Sequence, residues 1–190
     1  MVASSFLTDY RAAAAEREAQ GVPALPLTAP QTEALVELLA APPTGEEAFL
    51  QHLLSERIPP GVDEAAYVKA SWLSAVAQGS ASSPLVSPIQ AVQLLATMIG
   101  GYNVGALIGL LSSADAAIAE AAATGLSRTL LVYDAYNDVL ELAASNPYAQ
   151  RVIDSWAAAE WFTAKPELPA EITVTVFKVE GETNTDDLSP

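Results

Sequence analysis

The sequence predicts an all-α fold: about nine helices in antiparallel pairs, closed by a short linker and one β-strand. Three observations carry this reading. Apolar residues recur at helical spacing through the first three quarters of the chain. Pro, Gly and capping residues interrupt them at intervals that suit short connections. Near Lys165 the pattern changes once, from helical to alternating. Residues 1–163 are therefore expected to form a helical domain, 164–171 a linker, and 172–190 a first strand and its following loop.

The first helix is expected within "SSFLTDYRAAAAEREAQG", with Ser4 or Ser5 as N-cap and Gly21 as the stop. The second starts at Thr28, carries Pro30 in its first turn and spaces Leu35, Leu38 and Leu39 on one face before Pro42. The third takes Thr44 as N-cap, Glu46 and Glu47 near the positive helix end, and Phe49, Leu50, Leu53 and Leu54 as its stripe. The fourth begins on Asp63 and is expected to turn Tyr67, Val68, Trp72 and Val76 inward. Ser87 caps the fifth, and Pro88 occupies its first position, where the missing amide costs nothing. Two shorter helices come next, in "NVGALIGLLSS" and "ADAAIAEAAATG". "SRTLLVYDAYNDVLELAAS" and "NPYAQRVIDSWAAAEWF" complete the set, the last capped by Asn146. Pairs recurring every thirty to forty residues or so are expected to stack as a HEAT-like array. After two linker prolines, "EITVTVFKV" alternates Ile172, Val174 and Val176 with Thr173 and Thr175, the pattern of a half-buried strand whose partners lie elsewhere.

Composition narrows the function classes. Acidic residues outnumber basic ones 23 to 8, and the few Lys and Arg never cluster, so this chain is not expected to bind nucleic acid. No cysteine occurs, which excludes disulfides, thiolate nucleophiles and cysteine-held metal clusters within this stretch. The N-terminus lacks the basic and apolar regions of a signal peptide. From Ala70 to Ala114 there is no charged residue, yet Gln90, Gln93, Gly100, Gly101 and Asn103 break the run. It reads as buried or partner-covered helices, with no membrane association.

Few residues offer chemistry. His52 is the only histidine and lies in an amphipathic helix without a nucleophile elbow nearby, so it reads as a surface residue. Gly101, Gly105 and Gly109, four residues apart, suit close helix approach rather than a phosphate loop. Tyr133, Tyr136, Trp156, Trp161 and Phe162 could form an aromatic wall, and packing of the last helix against the next part of the chain is the expected use. Asp154 and Glu160 lie six apart and should not share a helix face, so no catalytic acid–base pair is expected there. The densest polar stretch is the ending "GETNTDDLSP", whose spacing does not fit a calcium loop. So dense a cluster at a terminus reads as a chain that has been cut.

The stretches "PPGVDEAAYVKASWL", "GGYN", "SWAAAEWF" and above all "TVTVFKVEGETNTDDLSP" resemble the N-terminal region of the bacterial aconitate hydratase B family, which is also associated with 2-methylisocitrate dehydration. The resemblance implies a HEAT-like domain over residues 1–163 and a truncated swivel domain opening at the strand. Further domains would hold a four-iron, four-sulfur cluster. It also implies an enzyme that interconverts citrate and isocitrate through cis-aconitate, with cluster cysteines, substrate arginines and catalytic serine all outside this stretch. In the tail, Asn184, Asp186, Asp187 and Ser189 match the family motif and are implied to shape the active-site approach, none being catalytic. The chain alone is expected to be inactive and without cofactor or metal. Its expected partners are the remaining catalytic domains of the same enzyme, a second copy, or another protein, and its expected location is the cytoplasm. Where the family usually has a proline after "GGYN", this chain has "VGALIGLL". The alternative reading is a stand-alone helical adaptor, against which the orphan strand argues, since unpaired edges invite aggregation.

Overall fold

The computed structural model describes residues 2–129, 132–164, 167–176, 178 and 181, with side chains from Phe6 onward. Ten helices are present among the described residues and no strand. The chain divides into two compact units, Met1–Leu25 with Glu167–Pro190, and Pro26–Pro166.

In the smaller unit, α1 (Val2–Ala19) begins before Ser4 and Ser5, so neither is its cap. It ends as expected at Gly21, whose positive φ of 73° is the left-handed geometry that glycine adopts without a Cβ clash. The Arg17 Nε donates to the Pro23 carbonyl at 2.6 Å and pins the turn after the helix. The segment 171–176 lies in neither helix nor strand, and Ile172, Val174 and Val176 are exposed. The rest of the expected strand, through Val179, falls mostly outside the described residues.

The larger unit is a stack of helix pairs. Within it α2 (Ala29–Ala40) packs on α3 (Glu47–Glu56), α4 (Glu64–Ala77) on α5 (Pro88–Leu95), α6 (Val104–Leu110) on α7 (Ala116–Ser127), and α8 (Ala135–Ala143) on α9 (Pro147–Ala157). Successive pairs are joined through α2 with α4, α5 with α7, α6 with α8 and α7 with α9. A short α10 (Glu160–Thr163) folds back on α9. Short connections make three of the pairs hairpins, a longer loop joins α4 to α5, and each pair buries a stripe that it could not bury alone.

Local chemistry sets most of the boundaries. The Asp63 side chain accepts from the Ala66 amide at 3.1 Å, and the Asn146 Oδ1 accepts from the Tyr148 and Ala149 amides at 2.9 and 3.1 Å. Ser87 and Gln90 form a reciprocal capping box, with amide-to-side-chain distances of 2.9 and 3.3 Å. A second cap expectation fails: Thr44 is not the cap of α3, because Gly45 turns the chain at φ 90° and Glu46 takes that position. The long loop before α5 is tied down. Ser83 donates to the Leu39 carbonyl at 2.6 Å and Gln51 to the Leu85 carbonyl at 2.8 Å.

Leu35, Leu39, Leu50, Leu53, Leu73, Leu95, Leu107 and Leu126 form the core, each fully buried and each contributing about 1.5–3 kcal/mol. At its centre, α7 buries Ala119, Ala122, Ala123 and Gly125, small residues that let α5, α6 and α9 approach it. A Cβ on Gly125 would sit 2.8 Å from the Ala96 Cβ, and one on Gly100 would sit closer still to the backbone of Gly61. Gly101, Gly105 and Gly109, by contrast, meet nothing within 4 Å: Gly101 turns the chain before α6 at φ 90°, and α6 faces Val104, Leu107 and Leu110 inward and leaves Gly105 and Gly109 outside.

The face of α4 also departs from expectation. Tyr67 is exposed, and Lys69 is buried with Trp72, Leu73 and Val76. Burial lowers the Lys69 pKa below the ordinary 10.5, and attraction to Glu56 opposes that shift. Because the folded value lies below the unfolded one, the unfolded chain holds more protons between the two, and stability rises with pH across that window. Lys69→Met is accordingly expected to raise the thermal midpoint at about pH 7 and to raise it less as pH approaches the ordinary lysine value of 10.5. Melts of both proteins across that range check it.

Candidate functional site

The last helices gather the polar and aromatic residues that the sequence singled out. Their geometry is set by two backbone breaks at non-glycine residues in the left-handed region, Tyr133 at φ 44° and Ala159 at φ 51°. The first starts α8 at Ala135, and the second divides the expected last helix into α9 and α10. Each such conformation costs on the order of 1 kcal/mol, and here each re-aims aromatic side chains.

On one side, α7, α9 and α10 enclose an open cleft of about 1060 Å³. Arg128, Arg151, Asp154, Ser155 and Glu160 line it. Asp154 and Glu160, expected on different faces of one helix, both line this cleft, where the Ala159 break turns Glu160 back towards Ser155. The Ser155 hydroxyl donates to the Glu160 carboxylate at 2.7 Å, and the Gln150 amide donates to Asp154 at 2.7 Å. Arg151 is paired with the Glu120 carboxylate and donates to the Thr124 hydroxyl at 2.9 Å. The carboxylates, Arg151 and Ser155 thus all have partners, the Ser155 hydroxyl being held by the Glu160 carboxylate.

On the other side, Val132, Tyr136, Trp156 and Trp161 line an apolar groove of about 290 Å³. The Tyr136 and Trp156 rings stack at 6.0 Å, and the Trp156 indole donates to the Leu126 carbonyl at 3.0 Å, fixing α9 to the end of α7. Trp161 and Phe162 meet edge to face at 5.7 Å and remain about half exposed, as do Tyr136 and Leu140. Aromatic side chains are thus left partly in water at this end of the helical stack.

His52 is exposed on α3, as expected of a surface residue. The tail residues Asn184, Asp186, Asp187 and Ser189 lie outside the described residues. Arg128 and the cleft itself were not singled out from the sequence, since nothing in "GLSRTL" signals that α10 will fold over it. Among the described residues no group of three or more His, Cys, Asp or Glu could hold a metal ion, and no helix is long and apolar enough to cross a membrane.

Stacked helix pairs ending in an aromatic groove define an all-helical domain built of repeated hairpins. The family model described as the Aconitate B N-terminal domain matches residues 9–162, and the chain belongs to that family. It is 61% identical over 185 residues to aconitate hydratase B of Synechocystis, 60% identical over 186 residues to that of Salmonella typhimurium, and 58% identical over 186 residues to that of Escherichia coli. Each match covers 97% of this chain and 21% of the relative, so the chain spans about a fifth of the length of the curated relatives it matches.

Proposed function

We propose that this chain is the N-terminal, non-catalytic scaffold domain of an enzyme that interconverts citrate and isocitrate through cis-aconitate, acting in the cytoplasm. The helical domain ends near residue 163, 164–171 link it onward, and from residue 172 the chain opens a swivel domain. Exposed Ile172, Val174 and Val176 are the apolar side chains that such a strand covers once paired. The tail groups Asn184, Asp186, Asp187 and Ser189 then lie on the approach to the active site.

The residues present do not fit an iron–sulfur cluster. The chain has no cysteine, and no other metal-holding group stands among the described residues. Cluster ligands would come from the rest of the polypeptide, and no step of the reaction runs through the helices described above. Their part is to hold the following domains.

The observation that carries the reading is the aromatic end face, Tyr136, Trp156, Trp161 and Phe162, placed immediately before the linker. It is tested by Trp161→Ser combined with Phe162→Ser in the polypeptide of the complete reading frame. Each side chain is about half exposed, so removing both should cost the 190-residue chain about 1.5–3 kcal/mol and leave it folded. Protease cleavage within 164–171 of the complete polypeptide should accelerate roughly tenfold, the loss expected of a buried aromatic contact. Unchanged cleavage would overturn the assignment of this face.

A further inference from the structure

Two stretches far apart in sequence, "PPGV" and "IGGYN", form one rigid, exposed apolar knob on the helical stack. The Pro60 carbonyl accepts from the Ile99 and Gly100 amides at 2.9 and 3.2 Å. The Tyr102 hydroxyl donates to the Val62 carbonyl at 2.8 Å. The Tyr67 and Tyr102 rings meet edge to face at 5.4 Å. Val62 is 74% exposed, Ile99 68% and Tyr67 58%, so a locked backbone displays side chains that folding leaves in water.

From this knob and its rim we infer that Val62, Tyr67, Ile99 and Tyr102 seat in an apolar socket, edged by Lys or Arg, on the remainder of the same polypeptide. This rests on the reading that the chain is one domain of a longer enzyme, whose relatives extend about four-fifths of their length beyond the matched region. Two physical arguments select that occupant. Four side chains do not supply the ~800 Å² per partner that a free-standing complex buries. A small contact suffices when a covalent link raises the effective concentration to the millimolar range. The rim supplies the charge argument, because Asp63 and Glu64 flank the knob, on a chain whose net charge is −15, and Arg and Lys complement them.

Hydroxyl-radical footprinting read by mass spectrometry tests this. Oxidation of Tyr67, Ile99 and Tyr102 should be lower by about threefold or more in the complete polypeptide than in this chain, independent of dilution. Ile99→Lys should restore oxidation of the two tyrosines in the complete polypeptide while leaving the melt of this chain unchanged, since residue 99 is on the surface. Equal oxidation in both proteins would overturn the inference, as would protection that disappears on dilution together with a sedimenting dimer, which would give the knob to a second copy. A complete polypeptide that hydrates aconitate with its knob unprotected would sink this inference alone. One without that activity would remove the functional reading beneath it.

Discussion

Gly100→Ala should lower stability by about 2–4 kcal/mol, a loss of roughly 5–15 °C in thermal midpoint for a chain of this size. The cause is steric. A Cβ at residue 100 would lie 1.9 Å from the Gly61 carbonyl oxygen and 2.2 Å from its carbon, and both are backbone. No flexible side chain can yield, so the loops at residues 60–62 and 99–102 must part, and the two bonds to the Pro60 carbonyl go with them. Gly105→Ala is the matched control. Its Cβ meets nothing within 4 Å on an exposed helix face, so it should stabilise by about 0.5–1 kcal/mol. Thermal melts of the two variants should move in opposite directions; a shared direction would show that backbone freedom, not the contact with Gly61, decides the outcome at residue 100.

Asn103→Ala should cost about 2–3 kcal/mol. Fully buried, Asn103 donates from one amide nitrogen to the carbonyls of Leu95 and Met98 at 2.8 and 3.1 Å, satisfying groups that the end of α5 leaves open. Its Oδ1 has no hydrogen-bond partner among the described residues, so donation is what the side chain contributes. Asn103→Asp should be worse at neutral pH, because a carboxylate would face two carbonyl oxygens without water. The acid form would then be favoured in the folded chain, raising its pKa above the unfolded value near 3.9. The variant's deficit should therefore be smallest below about pH 4 and should grow as pH rises. Urea unfolding at several pH values measures it, and a deficit independent of pH would contradict the burial of this carboxylate.

How much could be read from the residues depended on how local the cause was. Asp63, Ser87 and Asn146 act within a turn of themselves, and each caps the helix that its position indicates. The stripes of α2 and α3 were equally legible, because leucine at helical spacing has one economical use. The failures share a different origin. Ala159 and Tyr133 hold left-handed conformations with no turn residue to announce them, so the division of α9 from α10 and the late start of α8 were invisible. The inversion on α4, Tyr67 out and Lys69 in, arises from tertiary packing and the meeting of Tyr67 with Tyr102. Glycine spacing misled in the same way. Four-residue intervals suggested helix contact, whereas the tight approaches occur at Gly100 and Gly125, whose neighbours Gly61 and Ala96 are remote in sequence. The aromatic residues of the end face were legible individually; the cleft beside them was not, since it exists only because α10 folds back on α9.

The most direct test of the central claim monitors aconitate hydration by cis-aconitate absorbance, after anaerobic treatment with iron and sulfide. This chain and the polypeptide of its complete reading frame should be compared side by side. Turnover by the complete polypeptide and none by the 190-residue chain is the expected result. Turnover by the chain alone would contradict a non-catalytic scaffold, and an inactive complete polypeptide would contradict its place in an aconitate hydratase.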